Sequence, residues 1–419
     1  MLEAILTLFQ VLMIVMILIY LMFLFHKNPK KLLLNPMSYC LVCSVMYLGV
    51  PYITPDYLFE YFGYEIDIDT IVYIKLLSIY VNVTFAFILY ISHRFVMPNF
   101  NNLVVSNSLG EFMRRYLIFI LTLISLLSIY ILVKYSPQLF ANFSSRGVAY
   151  SIYSDVFNNF KIPIVFAVAS VCSITLSIFI RFKLIYFTPQ IILIILAGLS
   201  GDRDMIFSII VFFMLIGVIK IPNDKIKKLV IFVCITMLLL IIFRFFQNGY
   251  FSSGTHGIRI DYLLLSEFYH TAFTTTYMIQ NNLVSNGNLF EYIYTPILKN
   301  VSFLFGIERV SWYADIVSGH IGRGFGFAGN IMSESLYYGG VILLLAYPFI
   351  ISFLLLLWIY IWKKGSYWGF VMLLIYIPNI RLFFRGSFWD NYIAIMHWSI
   401  ILVLPIMFLM FKKKGVSYE

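Results

Sequence analysis

The sequence predicts an all-α, polytopic integral membrane protein. A single membrane domain covers residues 1–419, with about 11 transmembrane helices and one large folded outer loop at about 247–334. Three observations lead there. First, 62% of the residues are hydrophobic and only 11% charged, where soluble domains average ~45–50% and ~25%. With a mean hydropathy of +0.92, too little polar surface exists to cover a water-soluble enzyme, and intrinsic disorder is excluded for the same reason. Second, the apolar residues fall in long unbroken runs. A crossing helix needs ~20 of them, whereas a membrane β-barrel would alternate apolar and polar positions. Third, lysine and arginine are distributed as a topology signal.

The apolar runs predict helices at roughly 4–25, 37–54, 71–92, 116–134, 162–180, 184–199, 205–219, 229–246, 335–361, 367–383 and 391–411. The first has no basic segment before it and no small-residue cleavage site after it, so it reads as a retained helix rather than a signal peptide. Alternate connecting segments carry Lys27, Lys30, Lys31, Arg94, Arg114, Arg115, Arg181, Lys183, Lys220, Lys225, Lys227, Lys228, Lys363, Lys364 and Lys412–Lys414, 17 cations against three acids. The rest of the chain holds 12 cations and 16 acids. The positive-inside rule places the first set in the cytoplasm, the N-terminus outside and the C-terminus inside. The net charge of +10 is then a consequence of topology, and no nucleic-acid partner is expected. Cys40, Cys43, Cys172 and Cys234 lie in apolar runs and read as small hydrophobes; the Cys40–Cys43 spacing has no second pair to make a metal or redox site. No internal repeat is visible of the kind that many secondary transporters carry.

The outer side holds a short acidic loop, Asp56 to Asp69, a second from Tyr135 to Lys161, and the large one. A loop of nearly ninety residues is usually functional or disordered, and its apolar clusters (Phe268-Tyr269-His270, Phe303-Leu304-Phe305) favour a folded segment packed on the membrane domain. Eight outer cations are arginines: Arg146, Arg203, Arg244, Arg259, Arg309, Arg323, Arg381 and Arg385. Arginine grips phosphate or carboxylate with two parallel hydrogen bonds and does not deprotonate. As a set around a membrane-level cavity, they point to an anionic lipid headgroup or a sugar diphosphate. Singly, each is also explained by snorkelling or by pairing with an acid.

Three segments concentrate the chemistry. Leu199-Ser-Gly-Asp-Arg-Asp-Met205 is a tight turn between helices. Its Asp202 and Asp204 form a D-x-D, a metal-binding pattern in some glycosyltransferases, but ion pairing with arginine is the simpler reading and no metal or other cofactor is expected. In Arg381-Leu-Phe-Phe-Arg385-Gly386 a helix puts the two arginines on one face. Like charges there are explained by a bound anion, or by an interfacial anchor beside Phe388 and Trp389. The third segment runs from Ser318 through Gly319, His320, Gly322, Arg323, Gly324, Gly326 and Gly329 to Asn330 and Glu334. Its glycine-rich backbone suits an anion cradle. His320 and Glu334 are the candidate proton acceptors, and Glu334, at the start of a helix, also fits a capping role.

The Gly201-Asp-Arg203 turn, the run from Gly324 through Glu334-Ser-Leu-Tyr-Tyr-Gly-Gly340, and Arg385-Gly-Ser-Phe before the last helix resemble the Wzy-type O-antigen and oligosaccharide repeat-unit polymerases of bacterial envelopes. The helix count and the late outer loop fit the same family. Related O-antigen ligases often carry a His-Asn pair where this chain has Gly329-Asn330. The resemblance implies a glycosyltransferase of the bacterial cytoplasmic (inner) membrane that builds surface polysaccharide, such as lipopolysaccharide. It would transfer a glycan from undecaprenyl diphosphate to another lipid-linked repeat unit on the outer face. Arg203, Arg381 and Arg385, with Arg323 and Arg259, would hold the diphosphate, and Glu334 or His320 would take the acceptor proton. Its partners would be undecaprenyl-diphosphate-linked oligosaccharides, membrane lipids and a chain-length regulator protein. A lipid-linked oligosaccharide flippase, or a ligase-like glycosyltransferase, is the competing reading.

Overall fold

The computed structural model describes residues 2–53, 65–98, 111–143, 146–160, 162–179, 183–200, 202–247, 260–299, 313, 317, 319, 329–364 and 367–396. Every regular element among them is helical, with no strand. In order they are α1 (Leu2–Lys27), α2 (Pro29–Leu33), α3 (Pro36–Ser44), α4 (Ile68–Ile91), α5 (Glu111–Ala141), α6 (Arg146–Asn159), α7 (Ile162–Phe179), α8 (Thr188–Ser200), α9 (Arg203–Lys220), α10 (Asn223–Gln247), α11 (Ile260–Gln280), α12 (Leu289–Lys299), α13 (Ile331–Lys363) and α14 (Tyr367–Arg385), followed by a short helix α15 over 388–396.

Among the described residues, four helices are long and apolar enough to cross a membrane: Leu2–Lys27, Ile68–Val96, Arg114–Ala141 and Ile331–Lys363. They contain the predicted helices 4–25, 71–92, 116–134 and 335–361. The stretches Val168–Ser177, Leu184–Ser200 and Met205–Lys220 are apolar but shorter. The predicted helix 37–54 is helical from Pro36 to Tyr52 but changes geometry: after α3 it widens through a π turn, Val45–Gly49, and then tightens into a 3-10 turn, Val50–Tyr52, that contains Pro51. The predicted helix 391–411 is helical to residue 396 and then lies outside the described residues. Within the expected large loop, α11, α12 and the first turn of α13 are helical.

The chain divides into two compact units. The first comprises Met1–Pro98, Arg259–Gly369 and Asn379–Ala394; the second comprises Asn99–Ile258, Phe370–Pro378 and Ile395–Glu419. In the second, α5 to α9 surround an apolar core that includes Tyr153, Ile162, Phe166, Leu193, Leu196 and Ile206.

In the first unit α1, α3 and α4 are joined by polar side chains in an otherwise apolar interior. Side chains of α1 and α4 reach the carbonyls at the end of the π turn. Ser78 Oγ donates to Leu48 O, and Gln10 Nε2 donates to Gly49 O at 2.8 Å and to Ser78 Oγ at 3.2 Å. Ser44 Oγ donates to Asn82 Oδ1 at 2.8 Å. The fully buried Lys75 donates to Glu3 Oε1 at 3.0 Å and to Thr7 Oγ1 at 2.6 Å. A buried carbonyl left without a donor costs about 1–3 kcal/mol, and in lipid no water is present to relieve it. Gln10 and Ser78 thus add side-chain donors to the carbonyls at the end of the π turn. The outer face of α1 is apolar, with Leu8, Leu12, Met16, Ile19 and Phe23 exposed, as a helix bathed in hydrocarbon requires.

Candidate functional site

Helix α13 begins on an interlocked cap. Asn330 Oδ1 accepts from Met332 N at 3.0 Å and Ser333 N at 3.0 Å, and Asn330 N donates to Ser333 Oγ at 2.8 Å. This reciprocal arrangement satisfies the N–H groups that the first helical turn leaves without partners. Asn330 also binds α11, donating from Nδ2 to Thr271 O at 3.1 Å and accepting from Thr275 Oγ1 at 3.1 Å. Ten residues beyond Asn330, Gly340 has φ 62° and ψ −155°, a backbone region open essentially to glycine alone. The break removes the helical donors for Leu336 O and Tyr337 O. The turn between α11 and α12 replaces them: Ser285 N donates to Leu336 O and Gly287 N to Tyr337 O, both at 2.9 Å.

The cap and the break frame Glu334, which is fully buried. Ser387 Oγ donates to its Oε1, while Tyr347 Oη at 2.7 Å and Phe388 N at 2.9 Å donate to Oε2. Phe388 N belongs to the first turn of α15, so the carboxylate meets the N-terminal ends of α13 and α15 together, both favourable to negative charge. Ser387 also caps α15, accepting from Asp390 N at 3.2 Å. Tyr292 Oη lies 2.5 Å from Tyr347 Oη and extends the network to α12. Tyr313 Oη donates to Asn330 O at 3.3 Å and to Gly386 O at 3.2 Å. A Cβ at Gly329 would come 1.9 Å from that oxygen, so glycine is required for Tyr313 to close over the cap. Burial first, and the Glu334 charge second, push the phenols of Tyr292 and Tyr313 well above their ordinary value, which keeps both as hydrogen-bond donors.

This network fixes the Arg385-Gly-Ser-Phe turn, at which α14 ends. Arg381 and Arg385 are one helical turn apart on α14, as the spacing predicted, and both are half-buried. Arg381 Nε donates to Tyr47 Oη at 3.1 Å, and Tyr47 packs edge-on against Phe268 with centroids 4.8 Å apart. The structure thus brings Glu334, Arg381 and Arg385 into one unit. Arg203 opens α9 in the other unit; its side chain lies outside the described residues. Asp202 precedes it at the cap position, with Oδ1 accepting from Met205 N at 3.4 Å. His320, Arg323 and Arg259 lie outside the described residues. Among the described residues no group of three or more His, Cys, Asp or Glu side chains is placed to hold a metal ion.

Sequence reasoning weighed Glu334 as a proton acceptor or a helix cap. In the structure neither oxygen faces solvent, and the side chain anchors a turn. The residues it missed are Ser387, Tyr347, Tyr292, Tyr313 and Tyr47. Ser387 and Phe388 belong to the Arg385-Gly-Ser-Phe segment, in which the arginine is the only charged group. The tyrosines are lost among the 31 in the chain. Comparison with known protein families, curated proteins and solved structures finds no match to this chain.

Proposed function

We propose that this protein is a membrane glycosyltransferase that polymerises oligosaccharide repeat units carried on undecaprenyl diphosphate, acting on the outer face of the bacterial cytoplasmic membrane. The observation that carries the reading is the paired arginines of α14, presented at a turn that a buried carboxylate and two capped helix ends hold rigid. Fixed cations are what a departing lipid diphosphate needs, because preorganised charge stabilises the transition state without reorganisation at the moment of reaction. The acceptor sugar hydroxyl attacks the donor's anomeric carbon. The bond from that carbon to the diphosphate oxygen breaks, and the leaving oxygen takes the electron pair toward Arg381 and Arg385, with Arg323 and Arg259 as further cations. His320 takes the acceptor proton. Glu334 has its oxygens committed to Ser387, Tyr347 and Phe388, so its part is positioning: it orients the turn that carries the arginines.

The test uses purified protein and undecaprenyl-diphosphate-linked repeat units, with no nucleotide sugar and with a metal chelator, and resolves the products on a gel. A ladder of lengthening glycans is the expected result. Transbilayer movement of the same lipid in liposomes with no ladder would make the protein a transporter and turn the arginines into the lining of a passage.

A further inference from the structure

Helix α12 has two unlike faces. Tyr292 and Pro296 are buried, whereas Leu289, Phe290, Ile293, Tyr294 and Ile297 are exposed, Phe290 at 78%. The exposed set recurs at positions one, four, five and eight residues along from Leu289, the stripe of a helix lying on an apolar phase. Left in water, such a stripe is unfavourable at roughly 25 cal/mol per Å². What covers it follows from the helix on which α12 rests. Tyr292 stacks on Tyr338 of α13, with centroids 4.4 Å apart and planes at 19°, and its Oη reaches Tyr347 Oη at 2.5 Å. Between these two contacts α13 leaves its own apolar side chains exposed, Val341, Ile342 and Leu345, with Phe349 beyond, and Ile342 is 84% exposed. Helix α13 is one of the four long and apolar enough to cross a membrane, so this face meets acyl chains. The exposed stripe belongs to a helix that rests, through Tyr292, against this stretch of α13.

The depth agrees. The apolar part of α13 starts after Gly340, and Tyr347 lies six to seven residues further, roughly 9–10 Å at 1.5 Å per residue. A tyrosine on α12 that reaches this point sets the α12 backbone near the first turn of the apolar part, where headgroups give way to acyl chains. Interfacial helices bury their apolar face ~5–10 Å there. Trp389, an amphipathic side chain suited to the same layer, donates from Nε1 to Ile293 O at 2.9 Å.

We infer that α12 is a bilayer-interface helix, whose Leu289-Phe290-Ile293-Ile297 face is covered by the acyl chains of membrane phospholipid. Its Tyr292 and Ile293 contacts tie it to the Glu334 node and to the segment just after Arg385, so the arginine turn is held at a fixed height on the membrane surface. The inference stands apart from glycosyl transfer and holds for a protein of any activity.

The test places a benzophenone amino acid at Phe290 or at Ile297 of the full chain in phospholipid vesicles, with Phe349 as the lipid-facing control and the exposed Asn288 as the polar control. Illumination is followed by intact-mass measurement. Lipid adducts at Phe290 and Ile297 comparable to those at Phe349, and at least ~5-fold above Asn288, are expected. Three outcomes overturn the proposal: a covalent dimer at Phe290, which makes a second copy the occupant; adduct formation at Phe290 no greater than at Asn288 while Phe349 reacts; or quenching of a fluorophore at Ile297 by aqueous iodide as complete as at Asn288.

Discussion

Glu334 shows how one side chain is read differently in sequence and in space. As a carboxylate at the head of a helix it is a natural base, yet its two oxygens receive Ser387, Tyr347 and Phe388. Glu334→Gln replaces one acceptor by a donor that faces donors, so one buried hydrogen bond is lost and a polar group is left without a partner, at about 1–3 kcal/mol. The thermal midpoint in detergent should fall, and the loss should be non-additive with Tyr347→Phe because the two share one network; additive losses would sink the shared-anchor account. The arginines belong to this scale too. Arg381→Ala and Arg385→Ala should each abolish polymer while leaving membrane insertion intact. Lysine should recover little, since it cannot supply the paired guanidinium bonds. Normal polymer from both alanine variants would remove the cradle.

At the scale of the element, the break in α13 is the decisive feature. Gly340 at φ 62° lets the α13 cap turn away from the apolar remainder, and the Ser285 and Gly287 N–H groups occupy the carbonyls that the break frees. Gly340→Ala strains that backbone, and its Cβ would come 2.4 Å from Ser285 Oγ. The expected cost is about 1–3 kcal/mol, seen as a lower thermal midpoint together with faster proteolysis in the Asn281–Asn288 turn. A variant as stable and as resistant as the parent would show that the turn does not depend on the break. The periodicity of the sequence placed helices at 71–92, 116–134 and 335–361, and all are present, because an apolar run must satisfy its backbone internally whatever surrounds it. It did not reveal the change from α to π and 3-10 geometry within 37–54, where Gln10 and Ser78 arrive from other helices to meet the Gly49 and Leu48 carbonyls.

For the whole molecule, the described residues form two compact units, and four helices carry the length and apolarity of membrane crossings. In the first unit, Tyr292 and Tyr313 have phenols raised by burial. A group raised on folding keeps its full stabilising contribution below its unfolded value, ~10 for tyrosine. The contribution is lost as pH climbs above that value toward the folded one. Stability in detergent should therefore be flat with respect to these groups up to pH ~10 and decline above it. The decline should be shallower in the Tyr292→Phe and Tyr313→Phe variants. An alkaline limb of unchanged slope in both would contradict the placement of these phenols.

Helicity, apolar character and the pairing of Arg381 with Arg385 on one face were determined by the sequence itself, because each is a property of neighbours within about five positions along the chain. The Glu334 node was decided by tertiary structure alone. Its parts, Tyr292, Tyr313, Asn330, Glu334, Tyr347 and Ser387, are separated by up to 95 positions, and no local pattern records which donor will face which acceptor once water is gone. The physical reason is the same in both cases. Backbone groups find their partners within one helical turn, so composition suffices to predict them. A buried side-chain carboxylate finds its partners only where distant helices meet, so only the fold determines whether it acts as a base or as an anchor.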